Sequence, residues 1–134
     1  MQVNSFSPID ISISGMRAQS KNMEIISSNV SNARTTDTGN GQPYRRIEAM
    51  FRAEDKDNIS PVQLDDIIQD MSPFYKILNP GHPQADESGY VTMPNVTVPV
   101  ELMNLTVATR AYQANAAVLK RYQTMVDTTL ELLR

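Results

Sequence analysis

The stretch from Pro99 to the C-terminal Arg134 constrains the fold of this chain more than any other. Alternate steps of three and four residues from Leu102 reach Leu105, Thr109, Tyr112, Ala116, Leu119, Gln123, Val126, Leu130 and Leu133. With Leu102, eight of these ten positions are apolar or aromatic and none is charged. The charges Glu101, Arg110, Lys120, Arg121, Asp127 and Glu131 all fall between them. That pattern belongs to a heptad helix with one apolar stripe rather than to a helix buried all round. At 1.5 Å per residue such a helix would run for roughly 54 Å, longer than the diameter of any core that a chain of this size can build around it. Its stripe therefore needs partners, within the chain or beyond it.

A second helix is predicted at the other end. Ser7 suits an N-cap, Pro8 the first helical position, and Asp10 the positive end of the helix dipole. The helix is expected to reach about Asn32 and to carry Ile9, Ile13, Met16, Met23, Ile26, Val30 and Ala33 on one face, interrupted by Ser20 and Ser27. Gly15 inside it costs about 1 kcal/mol relative to alanine, which is explained either by close approach of another backbone or by simple tolerance. Asn29 and Asn32 lie beside this stripe, and Gln113 and Asn115 flank Tyr112 on the last helix. Amides close to a helical seam fix register and partner at some cost in stability; on a solvated face they are merely exposed polar groups.

Between Arg34 and about Asn95 the helical period disappears, and six of the eight prolines and four of the five glycines lie there. Tyr44 to Arg52 places Ile47, Ala49 and Phe51 on one side and Arg46, Glu48, Met50 and Arg52 largely on the other, as a half-buried strand does. Val62 to Met71 and Phe74 to Leu78 are further strand candidates. Turn chemistry in Asn79-Pro80-Gly81-His82-Pro83 and in Ser88-Gly89 separates them from Tyr90-Val91. Residues 37–43 and 53–60 suit loops. The fold class expected is mainly α with a small β-rich insertion. An N-terminal helix (1–36), a β-rich middle module (37–96) and a C-terminal helix (97–134) would then form a coiled-coil-like pair with an irregular middle.

Composition excludes several functions. With 40% hydrophobic and 20% charged residues the chain is not a disordered polymer. A net charge of −3 gives no attraction to nucleic acid or to an anionic membrane. No apolar run approaches the roughly 18 residues of a membrane span. The N-terminus has no signal-peptide pattern, so export would proceed without a cleaved leader. Cysteine is absent, and His82, the single histidine, sits in a turn beside Asp86 and Glu87 without a convincing ligand set. The window from Asp37 to Glu48 has acids at the ends of a calcium-loop length, but Gly39 and Gly41 where oxygen ligands are needed. No nucleophile can be paired with a base and no phosphate-cradling loop occurs, so neither an enzyme, a cofactor nor a small-molecule substrate is expected. Arg45, Arg46 and Arg52 suit a solvated strand edge as well as an anion site.

The run from Asp10 through Gly15-Met16-Arg17-Ala18-Gln19, followed by Ser28-Asn29-Val30-Ser31-Asn32-Ala33, resembles the signature of the bacterial flagellar rod, hook and hook-associated proteins. The ordered motifs Pro43-Tyr44-Arg45-Arg46, Asn79-Pro80-Gly81-His82-Pro83, Ala85 to Val91, Met93-Pro94-Asn95-Val96 and Thr109 to Asn115 are similar to those of the proximal-rod members of that family. The chain departs from the family pattern at Ser27, Ser28 and Ser31, where alanine or asparagine is common, and at Pro99. Proline in a first helical turn removes no helical hydrogen bond.

The resemblance implies a structural subunit of the flagellar basal body, exported through the flagellar type III apparatus to the periplasm. It would polymerise with related rod proteins and copies of itself into a helical, torque-transmitting shaft around the export channel. The middle module would then face neighbouring subunits and the surrounding ring or peptidoglycan. The assembly interface expected comprises Ile13, Met16, Met23, Ile26, Asn29, Val30 and Asn32 in the first helix, with Leu102, Leu105, Tyr112, Gln113, Asn115, Leu119 and Val126 in the last. A generic coiled-coil adaptor or secretion chaperone would share the heptads but not the ordered middle motifs. As a test, Leu119→Asp is expected to stop rod assembly while export continues; normal motility in that variant would refute the assignment.

Overall fold

Capping chemistry starts the first helix where the sequence places it. In the computed structural model, which describes residues 7–53 and 59–133, α1 spans Pro8–Ser31. Ser7 Oγ accepts the Ile9 amide at 3.3 Å, and Asp10 Oδ2 accepts the Ser7 amide at 3.2 Å, a reciprocal capping box. The helix ends at Asn32, whose side-chain amide donates back to the Ser28 carbonyl at 2.9 Å. Asn32 thus caps the helix and holds Thr35 through its Oδ1.

The middle contains two separate two-stranded antiparallel sheets. Strand β1 (Ile47–Ala53) pairs with β2 (Val62–Gln69), running from Ile47 opposite Gln69 to Ala53 opposite Val62, with an irregularity between Met50 and Phe51. Ile47, Ala49 and Phe51 are half-buried while Glu48, Met50 and Arg52 are exposed, as their alternation predicts. The strand begins three residues later than expected because its lead-in is engaged elsewhere. The Tyr44 amide donates to the Thr35 carbonyl at 2.9 Å, and the Arg46 amide to Asn95 Oδ1 at 2.8 Å. Strand β3 (Tyr75–Leu78) pairs with β4 (Tyr90–Met93). Of the loop expected at 53–60, residues 54–58 lie outside the described residues.

Helix α2 spans Val98–Leu132 and runs antiparallel to α1. As α1 advances through Gly15, Met23 and Asn29, it meets Asn115, Thr109 and Glu101 in turn. The 24 residues of α1 leave part of the 35-residue α2 uncovered, and every residue from Gln123 to Leu133 is exposed. The mainly α fold with a small β insertion, built on a long helix at each end, is thus the one expected. α1 also packs against β1 and β2, so it is covered from two sides.

Gly89 closes the β3–β4 connection with φ of +78°, and a Cβ there would come within 3.0 Å of Pro80 Cγ and 3.5 Å of Pro80 Cα. Both the left-handed backbone and the proline oppose a side chain. Gly89→Ala is expected to lower stability by roughly 1–2 kcal/mol, measured by thermal unfolding; an unchanged midpoint would contradict this account of the turn.

Candidate assembly interface

Two covering elements displace the buried face of α1 from the apolar stripe that its periodicity predicts. Its buried residues are Ser12, Ala18, Ile25, Ile26 and Asn29, a face turned by roughly a third of a turn from the stripe of Ile9, Ile13, Met16, Met23 and Val30. Ile13, Met16, Met23 and Val30 are half-buried at its flank, Ile26 and Asn29 are inside, and Asn32 is half-buried at the cap. The residue that approaches Gly15 is a side chain rather than backbone: a Cβ on Gly15 would lie 2.8 Å from Asn115 Nδ2. Asn115 is fixed over the glycine by its own bond to the Ala111 carbonyl at 3.1 Å.

On α2 the buried residues are Glu101 and Ala108. Leu105, Tyr112, Asn115 and Leu119 are half-buried beside them, whereas Leu102, Gln113 and Val126 are exposed. Glu101 is only 1% exposed, although its place between the stripe positions suggested a solvated charge. Its Oε1 accepts Arg46 Nε at 2.7 Å and its Oε2 accepts Asn29 Nδ2 at 3.1 Å. Arg46 also pairs with Glu48 and reaches Asp70 Oδ2 at 3.4 Å. Burial opposes the charge on Arg46, but its bonds to Glu48 and Glu101 outweigh that and hold its pKa above the usual arginine value. Asp70 is held below the usual carboxylate range, first by hydrogen bonds from Ser72 and then by the Arg46 charge.

Asn29 completes the cluster. Its Nδ2 donates to the Ile47 carbonyl at 2.8 Å as well as to Glu101, while its Oδ1 accepts the Ile47 amide and the Tyr44 hydroxyl, each at 3.0 Å. Both donors and both acceptor sites of the amide are used, and towards Ile47 it behaves as a neighbouring strand would. The sequence offered two signals for this cluster: Tyr44, Arg46 and Asn95 fall inside the ordered motifs, and Asn29 is an amide beside the apolar stripe of the first helix. Nothing in periodicity marked Glu101.

A second apolar stripe on α2 faces solvent. Val100, Met103, Val107, Val118, Met125 and Leu132 are all exposed. They follow a heptad step: Val107 lies seven residues after Val100, Met125 seven after Val118, and Leu132 seven after Met125. Val100 and Val107 border the grooves that also hold Glu101 and Ala108, and from Val118 onward no element of the described chain covers the stripe. Past Tyr122, Val126, Leu130 and Leu133 continue the α1-facing side without α1. The loops offer no comparable arrangement. Asp37 Oδ1 is occupied by the Gly39 and Gly41 amides and its Oδ2 by Gln84 Nε2, and His82 Nδ1 accepts the Gln84 amide at 3.1 Å. Among the described residues no group of three or more His, Asp or Glu could hold a metal ion.

Comparison with known proteins gives a consistent family. Residues 9–37, which are α1 and the turn after it, match the family described as "Flagella basal body rod protein". Residues 87–132, which hold β4 and α2, match "Flagellar basal body rod FlgEFG protein C-terminal". The chain is 38% identical over 129 residues to flagellar basal-body rod protein FlgC of Escherichia coli O6:H1, covering 92% of this chain and 93% of that protein. It is 38% identical over 125 residues to FlgC of Salmonella typhimurium, with the same coverage. To FlgC of Borreliella burgdorferi it is 32% identical over 148 residues, covering 96% and 97%.

The buried cluster yields a stability prediction. Arg46→Met would leave the Glu101 carboxylate buried without its cation and is expected to cost about 3–5 kcal/mol in urea unfolding at neutral pH. Arg46→Met combined with Glu101→Leu should recover most of that loss, and a double variant as unstable as the single one would refute the pairing.

Proposed function

We infer, from the premise that this chain belongs to the FlgC family of flagellar basal-body rod proteins, that it is a structural subunit which polymerises through its two terminal helices into the flagellar rod. The observation that carries this reading is the solvent-facing apolar stripe of α2 from Val100 to Leu132, together with the length of α2 left bare beyond α1. Exposed heptad stripes of this length are docking surfaces for other helices. A protomer that offers different surfaces on its two sides makes heterologous contacts, and these generate a helical filament when the rotation does not close.

In this reading Leu102, Gln113 and Val126, exposed in the protomer, contact neighbouring subunits. Ile26 and Asn29 instead serve the internal α1–α2 packing that presents the stripe. Ile13, Met16, Met23, Val30, Leu105, Tyr112, Asn115 and Leu119, half-buried along the edges of the pair, contribute to both. The partners are other rod proteins and further copies of this chain. The subunit is exported to the periplasmic rod, its helices surround the export channel, and the β module faces outward to the surrounding ring or peptidoglycan. The role asks for no cofactor and no catalytic centre.

Val118→Asp alters the outward stripe without touching α1. It is expected to change the stability of the protomer by less than about 0.5 kcal/mol yet to abolish swimming in soft agar and the recovery of rods. A swimming variant with complete rods would overturn this reading of the stripe.

A further inference from the structure

The apolar contacts of the α1–α2 pair do not by themselves choose one alignment. Ile9, Met16, Met23 and Val30 recur every seven residues on α1, as do Leu105, Tyr112, Leu119, Val126 and Leu133 on α2. Sliding one helix past the other by a heptad therefore replaces one large apolar side chain with another, and methionine adapts readily to the change. The contacts that differ between alignments lie on the buried face. Gly15 sits under Asn115, and Asn29 bonds Glu101; these pairs stand two heptads apart on both helices. Between them Asn22 and Ala108 line the same groove. At each step a small residue or a hydrogen-bonding partner on one helix answers an amide or carboxylate on the other.

A slip of one heptad breaks all of this. In one direction Ala108 would stand over Gly15 and leave a void; in the other Asn115 would meet Asn22, amide against amide. In both, Glu101 would leave Asn29 and Arg46, because these are held at one point by Ile47, Tyr44 and Asn95; in the first slip Asn22 would come opposite Glu101, but the Arg46 cation would still be lost. A buried carboxylate without its donors is far more costly than any difference among apolar contacts.

We propose that the Asn29–Glu101–Arg46 cluster is a register lock, which selects one of several nearly equivalent heptad alignments of α1 and α2 and ties β1 to that choice. The lock belongs to the single protomer and does not depend on the partners assigned above.

The chain contains no cysteine, so introduced pairs can report alignment. Met23 Sδ lies 3.5 Å from Thr109 Oγ1. In Thr109→Cys, a second cysteine at Met23 therefore reports the observed register, and cysteines at Met16 or Val30 report the two slips. With the cluster intact, the 23/109 disulfide should form at least about tenfold more than either slipped pair under slow oxidation of the full chain. In the Asn29→Leu/Glu101→Leu background, the slipped pairs should rise to within about threefold of it while far-ultraviolet circular dichroism stays helical. If that double variant does not fold, Glu101→Gln takes its place, and the slipped pairs should then rise above their level in the parent. A preference for 23/109 that survives in the folded variant would overturn the proposal. So would an equal loss of all three cross-links, which would make the cluster a stabiliser without any role in register.

Discussion

A carboxylate shut away from water has to be met by donors, and in this fold the donors that meet Glu101 come from two other parts of the chain. Arg46 reaches it from the lead-in to β1 and Asn29 from α1. One side chain on α2 thus fixes where α1 lies and where the first sheet begins. The demand then propagates outward. Arg46 is steadied through its backbone by Asn95, and Asn95 holds the Asp70 and Ser72 carbonyls that end β2. Arg45, donating to the same two carbonyls, stacks over Phe74 at 4.1 Å. Isolated two-stranded sheets are marginal in water, and the β1–β2 hairpin acquires its position by packing on α1.

Elements governed by local chemistry were legible in the sequence. The capping box at Ser7, the alternation of Ile47, Ala49 and Phe51, and the turn at Gly89 each depend on a few neighbouring residues. What escaped depends on how elements are arranged around one another. The buried face of α1 is displaced from its apolar stripe because α2 covers one side and the β1–β2 hairpin another, a fact of tertiary packing that a helical wheel cannot contain. Glu101 looked like a solvated charge because position alone does not disclose that Arg46, distant in sequence, will reach it. The outward stripe of α2 is masked by the more regular seam, because its own spacing is broken by the eleven-residue step from Val107 to Val118.

The two stripes divide the work of α2. The first is spent mostly within the protomer, where α1 covers it as far as about Tyr122. The second stays exposed along the helix, from Val100 to Leu132. A lone long helix would have to use the same face for its own folding and for assembly, and each partner would exclude the other. Two faces remove that competition, so α2 can be seated on α1 and on a neighbour together.

The two requirements nevertheless interact through register. Whatever docks on the outward stripe meets Val100, Val107, Val118 and Met125 at heights set by where α2 sits along α1, and a heptad displacement moves the stripe by roughly 10 Å relative to α1 and the β module. A rod built from a subunit with several alignments would accumulate mismatched joints, because each helical contact repeats the error of the last. Apolar heptads supply adhesion but are nearly blind to such a shift. Polar groups that can be satisfied at only one offset are not, and this accounts for a buried ion pair at the centre of a helix pair whose other contacts are largely apolar.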